Sequence, residues 1–175
     1  MGTDIKRKQF KPADYRSFRQ RLMQNLDVFQ QLLAKEGFGK GPTSFGAELE
    51  LYIIDKDGSP LPINELIHQK MDDPLLTLEL NRFNLEYNFT PVIRSKQPFS
   101  QMETQMLKAL NTLSSAAEKL DARVLPIGIL PTLKTNDLGK DAITDITRYH
   151  VLAKALRDKR GENFQIHIEA LIVLT

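Results

Sequence analysis

Four glutamates lie at spacings that could bring their carboxylates to one surface. Glu48 and Glu50 are separated by a single residue, and Glu79 and Glu86 follow in a second segment with strand-like character. Side chains alternate between the two faces of a β-strand, so Glu48 and Glu50 are predicted to share one face. If the two segments lie side by side, the carboxylates converge. Converging carboxylates repel one another unless a cation lies between them, and these hard oxygen ligands suit Mg²⁺ or Mn²⁺.

A solvated sheet surface is the alternative explanation for this pattern. The exposed face of an antiparallel sheet also carries polar residues at every second position. Leu49, Leu51 and Ile53 would cover the opposite face of the first strand, and Leu85 and Tyr87 that of the second. Glutamate is a poor strand former, however, and conflicts between a residue and its local structure tend to mark functional positions. From the spacing alone both explanations stay open.

The same residues resemble a known enzyme family. Residues 46–50 (Gly-Ala-Glu-Leu-Glu) and residues 79–86 (Glu-Leu-Asn-Arg-Phe-Asn-Leu-Glu) resemble the opening of the glutamate–cysteine ligase superfamily. Within it, the chain most resembles the bacterial carboxylate–amine ligase branch, the second glutamate–cysteine synthetase group. Residues 121–133, 143–149 and 160–169 resemble later parts of that branch in the same order.

The resemblance implies a fold and a reaction. Members of the superfamily look like glutamine synthetase in their catalytic core, where an antiparallel sheet curves around bound Mg²⁺ and ATP. ATP phosphorylates a substrate carboxylate, and an amine then displaces the phosphate to form an amide bond, while the metals neutralise phosphate oxygens. The resemblance therefore implies an α+β fold with a partial antiparallel sheet and flanking helices. It also implies γ-glutamyl amide formation from glutamate, an amine such as cysteine, and ATP, as in glutathione biosynthesis.

Each expected site residue is carried over from a matching position of the family motifs. The four glutamates at positions 48, 50, 79 and 86 match the metal-binding acids. The resemblance also implies catalytic roles for Arg82 and Arg148, and cofactor-binding roles for Asn84 and Tyr149. His167 lies on a predicted last strand, which resembles the strand preceding the one that bears the superfamily's active-site histidine.

The chain departs from the family pattern at its carboxyl end. Relatives continue beyond the position of Glu169 with strands that carry the active-site histidine and basic residues for the nucleotide phosphates. This chain has 175 residues and ends in a short apolar tail. We therefore expect residues 1–43 to form an amino-terminal helix and linker, and residues 44–175 a partial catalytic domain. Two functions remain: a ligase of this type, or a non-catalytic truncated remnant of one.

Composition excludes several other classes of function. With 24 Lys and Arg against 22 Asp and Glu, the net charge of +2 predicts neither nucleic-acid nor membrane binding. The absence of cysteine excludes disulfides, thiolate nucleophiles and zinc–sulfur sites. No apolar segment follows the basic residues 6–8, so we expect no signal peptide. We therefore expect a cytoplasmic location. The apolar tail 171–174 predicts an unpaired edge strand and self-association into a homo-oligomer.

Apolar spacing predicts the helices that position the acidic strands. A first helix opens near Pro12, and its apolar stripe is expected to face the core; the stripe consists of Phe18, Leu22, Leu26, Phe29 and Leu33. A short helix is predicted over residues 64–71, with His68 on the surface. A second long helix is expected to begin with a capping box of Ser100 and Glu103, and a third to span residues 147–159. Residues 124–130 predict an edge or bulged strand interrupted by Pro126.

Overall fold

A four-stranded antiparallel sheet carries both glutamate segments. The computed structural model describes residues 5–94 and 97–161. Strands β2 (Glu48–Ile54), β3 (Leu76–Leu78), β4 (Asn84–Asn88) and β6 (Arg123–Leu125) form the sheet, in the order β3-β4-β2-β6. Strands β1 (Ser44–Phe45) and β5 (Val92–Ile93) form a separate antiparallel pair. The fold is therefore α+β with small antiparallel sheets, as the sequence predicts.

Helices account for most of the remaining described residues. They are α1 (Pro12–Leu33), α2 (Asn64–Met71), α3 (Pro98–Glu118) and α4 (Thr147–Arg160), with two short 3₁₀ turns at Thr135–Leu138 and Lys140–Ala142. The predicted short helix at residues 64–71 is confirmed, and the predicted third helix ends one residue later than expected. Within the described ranges, no helix combines the length and apolar character needed to cross a membrane.

The two faces of the sheet differ as strand alternation predicts. Leu51, Ile53 and Leu85 point to the core face and are 0–1% exposed. Helix α3 covers this face with Leu113 and Ala117, and α2 adds a further buried apolar side chain. The glutamates of β2 and β4 lie on the opposite, more open face. Burial of one apolar face therefore fixes which side of the sheet carries the carboxylates.

The apolar stripe of α1 contradicts its prediction. The helix forms at the predicted place, yet it has no buried residue. Phe18 is 66% exposed and Leu26 49% exposed. The reason is that α2 and α3 already cover the core face of the sheet, so α1 contributes nothing to the buried core cluster. The interpretation of the stripe as core packing was wrong for the described part of the chain.

Two predicted boundaries also change. Helix α3 begins at Pro98, so Ser100 is its third residue rather than its cap, because proline's fixed φ favours the first helical position. Strand β6 ends at Leu125, since Pro126 has no N–H to donate to a neighbouring strand. The predicted last strand with His167 and the apolar tail 171–174 lie outside the described residues.

Candidate functional site

The register of the sheet brings two of the glutamates directly opposite each other. Glu50 on β2 pairs with Glu86 on β4, and Glu86 in turn pairs with Thr77 on β3. Glu48 pairs with Asn88 one step along the same ladder. Opposed side chains on one face have Cβ atoms about 5 Å apart, and like charges in that position destabilise the pairing. The acidic row is therefore locally unfavourable.

Glu79, which directly follows β3, completes the cluster of carboxylates. Burial raises the pKa of the Glu79 carboxyl above its ordinary value, and the Leu80 N–H, which donates to Oε2 at 2.9 Å, offsets part of this effect. Repulsion by the Glu86 carboxylate and hydrogen bonding to it raise the Glu79 pKa further, as does the charge of Glu50. Three of the four predicted metal ligands thus interact electrostatically.

Neutral groups orient the Glu86 carboxylate. Asn88 Nδ2 donates to Glu86 Oε1 at 2.7 Å and also to Thr77 Oγ1 at 3.1 Å. An amide directs a carboxylate without cancelling its charge. Within residues 5–94 and 97–161, no ion pair involves any of the four glutamates; the pairs formed there are Arg7–Asp14, His150–Asp145 and Lys154–Asp158. Among the described residues, the negative charge of the row is therefore not balanced by any ion pair.

A cavity of about 670 Å³ opens over this acidic face. Glu48, Glu79 and Glu86 line it from the sheet, and Arg148 and Tyr149 line it from α4. This volume lies within the range of small-molecule sites. The structure thus brings together, around one cavity, residues that the sequence placed in three separate segments.

Arg148 and Tyr149 form a unit at the wall of the cavity. The Arg148 guanidinium lies 4.8 Å from the centre of the Tyr149 ring, and its Nη2 donates to the Tyr149 hydroxyl at 3.0 Å. Burial raises the Tyr149 pKa, the hydrogen bond from Arg148 lowers it, and the charges of Glu79 and Glu86 raise it. The phenol therefore stays protonated and donates to the Leu78 carbonyl at 2.7 Å.

A clamp of hydrogen bonds, formed between residues 142–149 and residues 78–82, positions the backbone of Glu79. The buried Thr144 hydroxyl donates to the Glu79 carbonyl, and the Thr144 N–H donates to the Leu80 carbonyl at 2.9 Å. The Arg82 N–H donates to the Ala142 carbonyl at 2.7 Å. The clamp therefore fixes Glu79 beside Glu86, although its side-chain hydrogen bonds join residues 65 and 71 positions apart in sequence.

A buried side-chain amide, that of Asn64, is hydrogen-bonded to the clamp. Asn64, at the start of α2, is fully buried and donates through Nδ2 to Thr144 Oγ1 at 2.9 Å. The same Nδ2 approaches the carbonyls of Asn81 and Asn84 at 3.2 Å. Asn64 Oδ1 has no hydrogen-bond partner among the described residues. This network ties α2 to the turn that leads into β4.

Two predicted site residues take other positions. Asn84 lies on the acidic face, but its Nδ2 donates to the Leu51 carbonyl at 3.2 Å, and its Oδ1 accepts from Asn81 at 3.3 Å. Arg82 Nε is buried without a hydrogen-bond partner in the described part of the chain. Neither residue lines the cavity above the glutamates. In this structure Asn84 shapes the turn before β4.

His68 is a cavity residue that the sequence did not indicate. It was expected on the protein surface, but it is half-buried and lines the same cavity as Glu79 and Glu86. The sequence contains no signal for this position, because it depends on how α2 packs against the sheet. Thr144 and Asn64 were missed for the same reason, since the bonds that define their role are long-range.

The donor set fits a hard divalent cation in part. Mg²⁺ is commonly bound through one or two carboxylates while it keeps several waters, and Glu79 and Glu86 supply such a pair. The mutual repulsion of these carboxylates is the observation that favours a cation here. Among the described residues, no group of three or more acidic or histidine side chains is arranged to hold a metal ion. The fit is therefore to a cation shared with waters or with phosphate oxygens rather than to a protein-only cage.

Comparison with known proteins identified no relative of this chain. No protein-family model matches the sequence, no curated protein matches it, and no solved structure matches it. The resemblance to the glutamate–cysteine ligase superfamily therefore stays a prediction from the motifs of residues 46–50 and 79–86.

Proposed function

We propose that this chain carries the metal- and nucleotide-binding strands of an ATP- and Mg²⁺-dependent carboxylate–amine ligase of the glutamate–cysteine ligase type. One observation supports the proposal most directly. Glu50 and Glu86 are paired across two strands, Glu79 interacts with both, and Arg148 also lines the cavity on which the row opens. If the glutamates only formed a solvated sheet face, they would not need to converge beside a cavity.

Different residues of the chain would have different roles in such a site. Glu79 and Glu86 would hold the cation, which, when bound, neutralises phosphate oxygens during phosphoryl transfer. Asn88 keeps the Glu86 carboxylate oriented. Arg148, which the Tyr149 ring holds at the cavity wall, would attract a phosphate or a substrate carboxylate. Tyr149 is a positioning residue, because its hydroxyl is already engaged with the backbone of Leu78.

The substrate class follows from the resemblance and agrees with the charges of the cavity. Glutamate and ATP both bring anionic groups, which need a cation and a guanidinium to offset the acidic row. In the proposed reaction a carboxylate oxygen of glutamate takes the γ-phosphoryl group of ATP, ADP leaves, and an amine such as cysteine then displaces phosphate from the resulting acyl phosphate. The amine nitrogen gives up a proton, and the phosphate leaves with the bonding electron pair. The product is a γ-glutamyl amide of the kind used in glutathione biosynthesis.

Manganese binding tests the site itself. Mn²⁺ is paramagnetic, so its binding to the full chain can be followed through the relaxation of water protons. We expect binding by the wild type and at least about a tenfold loss when Glu79→Gln and Glu86→Gln are combined, as expected for removal of both proposed ligands. Glu36→Gln, an exposed glutamate in the turn after α1, is the matched control. Equal binding by the double variant and the control would refute the metal assignment.

An ADP-release assay separates the ligase from the non-catalytic alternative. ADP is measured in the presence of Mg²⁺, ATP, glutamate and cysteine. Glutamate-dependent ADP release that disappears in Glu86→Gln would support an active ligase. Mn²⁺ binding without ADP release would support the alternative that the chain keeps the acidic strands without turnover. Absence of both would overturn the proposed function.

A further inference from the structure

Helix α1 presents an apolar surface that is exposed in the described part of the chain, apart from ring contacts of Tyr15 with Phe10 and of Phe29 with Phe38. Six large side chains, which we call the α1 stripe, recur at helical spacing along one face of the helix: Tyr15, Phe18, Leu22, Leu26, Phe29 and Leu33. All six are exposed, and the helix has no buried residue. Contiguous apolar patches of this kind on a protein surface mark interaction sites.

The size of the α1 stripe is sufficient for a small protein–protein interface. Aromatic side chains that are about half exposed offer roughly 100 Å² each, and with the leucines the stripe offers roughly 600 Å². Two copies of the stripe would bury roughly 1,200 Å² in total, the lower limit for a specific interface. The surface is therefore large enough to pair with itself and is much smaller than an obligate interface.

The order of the side chains favours antiparallel self-pairing. If two α1 helices cross between residues 25 and 26, Phe18 of one copy faces Leu33 of the other, and Leu22 faces Phe29. Both of these contacts join one aromatic and one aliphatic side chain, and a twofold axis generates each of them twice, while the two copies of Leu26 meet near the axis. This complementarity is present in the sequence of one helix and needs no second kind of partner.

The distribution of charge disfavours the parallel arrangement. The first half of α1 carries three arginines (Arg16, Arg19 and Arg21) and one acid, Asp14, whereas the second half carries Asp27 and no basic residue. A parallel pair would bring the basic halves together. An antiparallel pair separates them and brings each basic half towards the Asp27 half of the other helix.

We propose that two copies of this chain associate through an antiparallel pairing of their α1 stripes. The interface joins two copies of one helix, and no residue of that helix lines the acidic cavity. Because the buried area is at the lower limit for specific interfaces, we expect dissociation in the micromolar range.

Light scattering on a size-exclusion column tests the pairing over a range of concentrations. We expect the wild-type mass to rise from 20.0 kDa towards twice that value as concentration increases. Leu26→Glu, at the centre of the α1 stripe, should keep the protein monomeric at every concentration. Gln24→Glu introduces the same charge on the opposite face of α1 and should leave the dimer unchanged. Circular dichroism of both variants verifies that the fold is retained.

Other outcomes would overturn the proposal. A monomeric wild type at all concentrations would show that the α1 stripe does not pair. A dimer that survives Leu26→Glu would place the association elsewhere, for example in the tail 171–174. A monomeric wild type whose Leu26→Glu variant unfolds at lower temperature would mean that another part of the same chain covers the stripe. Binding of the monomer to anionic vesicles, lost in Leu26→Glu, would mean that lipid is the occupant.

Discussion

Replacing Glu79 by glutamine is expected to stabilise the protein at neutral and alkaline pH. Burial and the Glu86 carboxylate raise the Glu79 pKa, so the folded state disfavours the charged form of this side chain. A group with a raised folded pKa contributes its full stability below its ordinary pKa, and this contribution is lost as pH rises through the folded value. Glutamine has no proton to lose, so the variant escapes that loss.

The size of the effect follows from the charge pair. Two carboxylates in hydrogen-bonding contact have their charges about 4 Å apart, where repulsion is about 1 kcal/mol in a water-like dielectric. The cluster lies at the mouth of an open cavity, so the water-like value applies better than an interior one. A change of about 1 kcal/mol shifts the melting temperature of a chain of this length by roughly 2–4 °C.

Thermal unfolding by circular dichroism measures this shift at fixed protein concentration and without divalent cations. Glu79→Gln should melt above the wild type at about pH 8, and the two should converge near pH 4, where glutamates are largely protonated. Glu36→Gln, remote from the cluster, should show no such divergence. A Glu79→Gln variant that melts below the wild type at about pH 8, or by a margin that does not change with pH, would refute the reasoning.

Added Mn²⁺ should reverse the order of the two proteins. A ligand that binds only the folded state stabilises it by RT ln(1 + L/Kd), where L is the free ligand concentration. Wild type should therefore gain melting temperature as Mn²⁺ is added, whereas Glu79→Gln should gain less. If both proteins respond equally, Glu79 does not contribute to a cation site.

Two further predictions concern the clamp that holds Glu79. Thr144→Val should lower the free energy of unfolding, measured in urea, by about 2 kcal/mol, because the Glu79 carbonyl and the Asn64 amide lose a buried partner; Thr144→Ser keeps the hydroxyl and should remain within about 1 kcal/mol of the wild type. Tyr149→Phe should cost about 1 kcal/mol, because the Leu78 carbonyl loses its donor, and an unchanged stability would show that water replaces the phenol.

Strand alternation made the faces of the sheet predictable from the sequence. Because side chains on a strand have a period of two, the apolar residues Leu49, Leu51 and Ile53 had to lie opposite Glu48 and Glu50. The register between β3 and β4 was not readable in the same way. It depends on the turn through residues 79–84, whose shape is set by long-range hydrogen bonds such as that from Asn64 to Thr144.

The apolar stripe of α1 shows a different limit. Apolar spacing of 3 and 4 residues predicts a helix and its apolar face, and both are present. Spacing does not reveal what covers that face, because a helix that faces a core and one that faces a partner have the same periodicity. The error in the core interpretation came from this ambiguity and not from the secondary structure.

The positions of His68 and Thr144 at the site could not be predicted from the sequence, for a third reason. A single histidine on a short polar helix, or a threonine before a helix, has no distinguishing local pattern. Their positions become informative only when α2 and α4 are packed against the sheet. The glutamates of the cavity were predictable because a repeated residue type at a fixed spacing carries information that a single residue does not, whereas Arg148 was expected only from the family resemblance.

The acidic row persists because the opposite face of the same strands holds it in place. Leu51 pairs with Leu85 in the ladder position next to Glu50 and Glu86, and both leucines are buried. A slip of β4 by one residue would separate the opposed carboxylates, but it would also turn Leu85 towards solvent. Burying one leucine contributes about 1.5–3 kcal/mol, more than the roughly 1 kcal/mol that the opposed charges cost. The apolar face therefore imposes the register, and the register keeps the carboxylates together in the absence of any cation.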